Sequence, residues 1–231
     1  MRVLGPRTSL AVFRLDLVYL GGELAADDRP AIQALAGPVQ AAVVDLRARR
    51  TMLEGAEDAA VLALAHLHKR DRTRDVLLVT LGGVARATDK AAYASLFPKL
   101  GPSETAKLGV DAESTEVARI LGSLAALEPA HPLRVAYEAP LMLAEAAVKP
   151  AKAGAEDAGV QLALLRAEVG RFKLSLDQLR VATHGQILAV VKDKTEADSF
   201  FRPASITPAE DEPAQAPTAA APKTPATITN G

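Results

Sequence analysis

Apolar residues along much of the chain recur at alternating intervals of four and three, which is the spacing of one helix face. The clearest example is the series Leu165, Val169, Phe172, Leu176, Leu179 and Thr183. Such a series forms a seam that packs along a partner helix at a shallow angle. This pattern predicts long helices that pack side by side.

Near the start of the chain the pattern alone is ambiguous. Phe13 and Leu17 fit a helix face, but the segment 13–19 also alternates like a strand. The composition favours the helix, because aromatic residues make up only 3% of the chain, there is no Trp, and alanine is abundant. Alanine favours helices, whereas sheets favour β-branched and aromatic residues. The sequence therefore predicts an all-α fold.

Two heptapeptides, GAEDAAV at 55–61 and GAEDAGV at 154–160, agree at six of seven positions. Two further pairs of similar segments flank them in the same order. These pairs are 20–31 with 121–130, and 94–98 with 198–203. Repeated order over this length indicates a tandem duplication. We expect unit one at 9–98, a linker at 99–111 and unit two at 112–203.

Each unit is predicted to contain three helices. The first would begin after Ser9 or near Asp111, where a side-chain oxygen can cap free backbone N–H groups. The second would begin at Pro38 or Pro140, since proline suits a first helical turn. The third would begin near Thr51 or Pro150 and carry the GAEDA motif near its start. Together the units predict a pseudo-symmetric helical bundle, in which the aromatic ends near 97 and 200–201 close each unit.

Residues 204–231 differ in composition from the rest, because they are rich in Ala, Pro and Thr and have few apolar residues of any size. Ordering such a segment costs entropy without burial in return. The sequence predicts a disordered tail here.

Four paired acids are the candidate metal ligands: Glu57, Asp58, Glu156 and Asp157. At helix starts, carboxylates complement the positive end of the helix dipole. A four-carboxylate metal site between the units is the alternative, but such sites usually add Glu-x-x-His on a core helix. The one Glu-x-x-His, ending at His131, lies at a proline-broken junction. We therefore predict helix-start electrostatics and no metal or cofactor.

Basic residues are concentrated between 47 and 74, in a chain of formal net charge −1. The candidate anion-binding side chains are Arg47, Arg50, Lys69, Arg70 and Arg74. Asp71 and Asp75 lie within this stretch, can pair with the arginines, and reduce its net charge. No aromatic residue is interleaved for base stacking. We predict a solvated, ion-paired helix face, and scattered structural or surface positions for the four histidines.

No nucleophile elbow, phosphate-binding loop or dinucleotide fingerprint is present, and there is no cysteine. The glycine pairs at 21–22 and 82–83 are interpreted as sites of close helix packing or helix termination. This inventory argues against catalysis and favours a non-catalytic interaction or scaffold protein, which self-associates or binds a protein partner. A small-molecule or metal site between the units, or an anion or nucleic-acid surface at 47–74, stays an alternative.

The location of the protein follows from two further observations. Arg14 and Asp16 interrupt the apolar run near the N-terminus, which argues against a signal peptide. No stretch of 18 uncharged apolar residues is present, so no membrane span is expected. We expect a soluble cytoplasmic protein.

Overall fold

The computed structural model describes residues 3–203, and this range consists of helices and connecting turns without a strand. The helices are α1 (Leu10–Ala26), α2 (Pro30–Gln33), α3 (Ala36–Thr88), α4 (Lys90–Leu96), α5 (Pro102–Thr105), α6 (Val110–Ala125), α7 (Pro132–Val191) and α8 (Lys194–Ser199). The predicted all-α class is confirmed. The predicted tail at 204–231 lies outside the described residues.

Two very long helices organise the molecule. Helix α3 has 53 residues and α7 has 60, which correspond to lengths of about 80 and 90 Å. They pack along each other in antiparallel directions, as the contacts of Arg74 with Glu145 and of Glu57 with Arg166 require. The predicted seam from Leu165 to Thr183 lies on this side of α7, where all six of its residues are buried or half-buried.

Shorter helices cover the two ends of this pair and form two separate hydrophobic cores. The first core joins α1, α2 and the start of α3 to the end of α7 and the segment around α8. The second joins the end of α3 to α4, α6 and the start of α7. Phe97 lies in the second core, and Phe200 and Phe201 lie in the first, each 6% exposed. The aromatic residues are buried, as predicted, but each core combines residues of both predicted units, so the closing of separate units stays a prediction.

The centre of the helix pair lacks such a cover within residues 3–203. Helix α3 has no buried residue between Leu46 and Arg74, and α7 has none between Val148 and Val169. On α3 the apolar residues that are half-buried here are Leu53, Ala56, Ala60, Ala63 and Leu67. The described chain is therefore two small cores connected by a two-helix section.

The predicted second and third helices of each unit are wrong as separate elements, because each pair forms one continuous helix. Pro38 lies in the first turn of α3, but Pro140 and Pro150 lie inside α7. Both internal prolines are exposed, so water can reach the carbonyls that lose their hydrogen bonds. Thr51 begins no helix; its hydroxyl donates to the Arg47 carbonyl within α3 (3.2 Å).

The starts of the flanking helices agree closely with the predictions. Ser9 is the N-cap of α1 and accepts a hydrogen bond from the Val12 amide. Helix α6 begins at Val110, close to the predicted start, but its N-cap is Gly109, so the predicted side-chain cap near Asp111 is wrong. Asp89 and Asp193 are the N-caps of α4 and α8, and each accepts two backbone N–H bonds. The unit bounds 9–98 and 112–203 stay a prediction, and the segment predicted as a linker contains α5.

Candidate functional site

The most highly charged buried site is centred on Arg74 of α3, whose side chain is fully buried. Its guanidinium donates to Glu145 of α7 (2.7 Å), to Ser114 of α6 (2.8 Å) and to Asp71 one turn earlier (2.6 Å). Its Nε lies 3.0 Å from the Glu113 carboxylate of α6. One arginine therefore connects three helices of the second core.

Negative charge exceeds positive charge at this site. Asp71, Asp75 and Glu113 each place a carboxylate oxygen within 4.8 Å of the others. Burial and the neighbouring Asp75 raise the pKa of Glu113 to about 8, against the opposing effect of Arg74. Burial also raises the pKa of Asp75. The raised pKa values of Glu113 and Asp75, whose oxygens lie within 4.8 Å of each other, favour a proton held by this pair at neutral pH.

The same three carboxylates are the group of described residues that could hold a metal ion, and their oxygens would suit a hard cation such as Mg²⁺ or Ca²⁺. However, the Arg74 guanidinium already contacts two of them, Asp71 and Glu113. It occupies the position of a counter-cation and would repel a second one. We call Asp71, Arg74, Asp75, Glu113 and Glu145 the Arg74 cluster; its chemistry suits helix–helix attachment and proton binding.

The sequence predicted Arg74 on a solvated, ion-paired helix face, with anion binding as the alternative; the pairing with Asp71 is observed, but the solvated position is wrong. The partners that bury it lie far away in sequence, Ser114 at a separation of 40 residues and Glu145 at 71. No local pattern identifies such partners. A signal was available in Leu77, Leu78 and Leu81, because the apolar face that they form places Arg74 one turn earlier on the same side.

The first core contains a comparable arginine on α7. Arg180 is 1% exposed and donates to Asp16 of α1 (3.1 Å) and to Asp177 one turn earlier (2.8 Å). Arg202 also lies 3.8 Å from Asp16. An acid three residues before a buried arginine is thus present in both long helices.

The structure places the four predicted metal candidates in the middle of the long helices and does not bring them together. Glu57 pairs with Arg166 (2.9 Å), and Glu156 with Lys152 (3.4 Å). Because Arg166 lies ten residues after Glu156 on α7, the two motifs are displaced by about 15 Å along the pair. The metal-capable group among residues 3–203 does not include these acids.

The helix-start interpretation of Glu57, Asp58, Glu156 and Asp157 is also wrong. Glu57 lies about 20 residues inside α3, and Glu156 lies equally deep in α7. The dipole effect is confined to the first turn, so it contributes little there. The local GAEDA pattern resembles a helix start, but the apolar period continues through it.

The other predicted anion-binding residues are at the surface. Arg47, Arg50, Lys69 and Arg70 are exposed, and Arg50 pairs with Glu54 of the next turn (2.8 Å). Two histidines bind acids, His131 with Asp89 (3.3 Å) and His184 with Asp198 (2.8 Å). His66 and His68 are exposed.

A shallow surface depression of about 510 Å³ is lined by Arg49, Glu168, Arg171, Phe172 and Ser175. Arg49 lies 4.5 Å above the Phe172 ring. Small-molecule sites are usually concave and mainly apolar. This depression has three charged side chains at its surface, so it is a poor match to that description.

The uncovered centre contains a section without charge on either helix. Residues 59–68 of α3 and 158–165 of α7 include no Asp, Glu, Lys or Arg. We call these two segments the central apolar section. Its exposed large side chains are Val61 (67%), Leu62 (60%), Leu64 (47%), Val160 (56%) and Leu164 (56%). The acidic pairs of the two GAEDA motifs, at 57–58 and 156–157, lie immediately before these segments.

Helix α3 has a regular row of exposed residues on the side opposite its seam. The row is Val44, Ala48, Thr51, Gly55, Asp58, Leu62, Ala65, Lys69, Arg72, Val76, Val79 and Gly83, all exposed. Its intervals alternate between four and three residues, as those of the seam do. We call this row the outer stripe of α3. It was missed from sequence because α3 was divided at Thr51.

Comparison of the chain with protein-family models, with curated proteins and with solved structures finds no match. Within residues 3–203, no helix is long and apolar enough to cross a membrane.

Proposed function

We propose that this chain is a non-catalytic helical interaction or scaffold protein that acts through the outer faces of its two long helices. The observation that carries the proposal is the central apolar section. There, two adjacent helix segments contain no Asp, Glu, Lys or Arg, and five of their eight Val and Leu side chains are exposed to solvent. Large exposed apolar patches usually mark interaction surfaces.

The free energy available from burying these side chains in a complex supports this proposal. Fully burying one Val or Leu side chain contributes roughly 1.5–3 kcal/mol. Five such residues in one section, each about half exposed or more, could contribute several kcal/mol to a complex. That is comparable to the lower estimates, about 4 kcal/mol, of the entropy lost on association.

The alternatives have less support. At an anion or nucleic-acid surface formed by 47–74, Arg74 would not be available, because it is buried in the Arg74 cluster and pairs with Asp71. A metal or small-molecule site between the units would have to use the Arg74 cluster, where an arginine already neutralises the acids. We therefore place the functional surface on the outside of the helix pair.

We further infer that the two halves arose by tandem duplication. In each half a helix of 16 or 17 residues precedes a very long helix, which is followed by a short helix with an aspartate N-cap. Each long helix has an acid three residues before a buried arginine, Asp71 with Arg74 and Asp177 with Arg180. Homologous chains test this inference: both acid–arginine pairs should recur together, and chains that keep only one in an otherwise equal fold would contradict it.

The proposed function can be tested by photo-crosslinking in cells. A benzophenone amino acid replaces Leu62 in the central apolar section, and Leu143, at 68% exposure on α7 outside that section, is the matched control. We expect covalent protein adducts from position 62 and few from position 143. Adducts at neither position, or equally at both, would contradict the proposal.

A further inference from the structure

We propose that the outer stripe of α3 binds the same stripe of a second copy of the chain in the antiparallel direction. The inference rests on the proposed function and names the partner. The centre of the contact lies between Ala63 and Leu64. Three properties of the stripe support this pairing: its shape, its charge and its length.

When two copies of the stripe pair in opposite directions, most of the facing side chains are complementary in size. About the stated centre the pairs are Val44 with Gly83, Ala48 with Val79, Thr51 with Val76, Gly55 with Arg72, Asp58 with Lys69, and Leu62 with Ala65. Four of the six pairs put a small residue against a larger one; the exceptions are Asp58 with Lys69, and Thr51 with Val76, which are nearly equal in size. Alternation of large and small residues lets facing helices interdigitate without gaps.

Charge selects the antiparallel direction. Asp58 and Lys69 are exposed and lie 11 residues apart on the same face. In the antiparallel arrangement each Asp58 meets Lys69 of the other copy, on both sides of the centre. A parallel arrangement in register would put Asp58 against Asp58 and Lys69 against Lys69. Repulsion between like charges therefore disfavours the parallel pair.

The length of the stripe is sufficient for a specific contact. From Val44 to Gly83 it extends over about 58 Å of helix. Twelve positions on each copy would bury on the order of 1,000 Å², the lower range for a specific interface. The seam of α3 against α7 has the same seven-residue period, so one supercoil of α3 accommodates both contacts. We expect a reversible dimer with a dissociation constant in the micromolar range.

Helix α7 also has an exposed row with this spacing, but its charges do not match in the same way. The row includes Met142, Ala146, Lys149, Ala153, Glu156, Val160, Ala163 and Ala167. Lys149 and Glu156 lie seven residues apart in that row. In an antiparallel pair, each would face an uncharged position of the other copy, such as Ala153 or Val160. Burying unpaired charges there is costly.

On α3, Arg72 likewise faces an uncharged residue, Gly55. However, Asp58 and Lys69 pair with each other, whereas neither charge of the α7 row finds a partner. For this reason the proposal selects α3.

Sedimentation equilibrium of the purified full chain tests the inference at micromolar concentrations. We expect a mass approaching twice 24.1 kDa as the concentration rises. Leu62→Glu should raise the dissociation constant at least tenfold, because it puts a carboxylate into the contact. Leu143→Glu, the matched exposed leucine outside both rows, and Val160→Glu, in the row on α7, should change it less than threefold. Circular dichroism should show equal helix content for all three variants.

A charge exchange tests the direction of pairing. Asp58→Lys and Lys69→Asp should each weaken the dimer about tenfold at low salt, and the double variant should return to within threefold of the original chain. A monomer at all concentrations, weakening by Val160→Glu in place of Leu62→Glu, or no recovery in the double variant would each overturn the inference. If position 62 then crosslinks to a different protein, the proposed function stands without this dimer. If it crosslinks to nothing, both fail.

Discussion

The two ends of the molecule each bury an arginine of a long helix, but the charges around these arginines differ. At the Arg180 end, Asp16 and Asp177 face two guanidiniums, because Arg202 also approaches Asp16. At the Arg74 end, one guanidinium faces the four carboxyl groups of the Arg74 cluster. The first site is balanced at neutral pH, whereas the second needs a bound proton. A buried arginine anchors a long helix at both ends, but we expect the stability of the Arg74 end alone to depend on pH near neutrality.

The largest effect is expected from removing one arginine. Arg74→Met leaves several buried carboxyl groups without their cation, and breaking a buried ion pair in this way costs about 3–5 kcal/mol. Arg180→Met should cost less, because Arg202 stays near Asp16. The free energy of unfolding in urea measures both. Equal losses in the two variants would contradict the difference in charge balance.

The next effect is a dependence on pH that is specific to the Arg74 end. Since the pKa of Glu113 is raised to about 8 from 4.5, the folded chain binds more protons than the unfolded chain between these values. The free energy of unfolding should therefore fall as pH rises through this window, by at most about 1.4 kcal/mol per pH unit.

Glu113→Gln is the matched control for this pH effect, because it keeps the shape and cannot ionise. The difference between the original chain and this variant also cancels the contributions of other titrating groups. We expect a flatter profile for Glu113→Gln between pH 5 and 8. Parallel profiles would show that Glu113 is already ionised at low pH and would contradict the proton-binding account.

Two buried glycines allow a comparison of packing at the two ends. A Cβ at Gly82 of α3 would lie 2.6 Å from Pro102 Cβ, whereas one at Gly21 of α1 would lie 3.5 Å from Val39 Cγ1. Gly82→Ala should therefore destabilise by about 1–3 kcal/mol through overlap. Gly21→Ala should stabilise by up to about 1 kcal/mol through helix propensity. Thermal unfolding distinguishes the two signs, and destabilisation by Gly21→Ala would show that α1 packs more tightly than described.

The smallest effect is expected at the two aspartate N-caps. Asp193→Ala removes two side-chain bonds to backbone N–H groups at the start of α8 and should cost about 1 kcal/mol. Asp89→Ala at α4 should cost slightly more, because Asp89 also lies 3.3 Å from His131. Urea denaturation of both variants measures these losses. A loss for Asp89→Ala no larger than that for Asp193→Ala would contradict a contribution from the contact between Asp89 and His131.

Sequence periodicity was sufficient for the helical class, for the starts of α1 and α6, and for the seam of α7. It was insufficient for helix length, because Pro140 and Pro150 look like helix starts but are tolerated where their free carbonyls face water. The Arg74 cluster could not be predicted, since its members come from α3, α6 and α7. The outer stripe of α3 was present in the sequence, but it becomes visible only when α3 is treated as continuous.

Disulfide trapping tests most directly the central claim that α3 has a second seam for another copy of the chain. The chain has no cysteine, so every disulfide must come from an introduced residue. Chains with Asp58→Cys and chains with Lys69→Cys, distinguished by tags of different length, are mixed and mildly oxidised. The account predicts that the mixed 58–69 disulfide dominates. A predominance of 58–58 and 69–69 products, or of uncrosslinked chains, would contradict it.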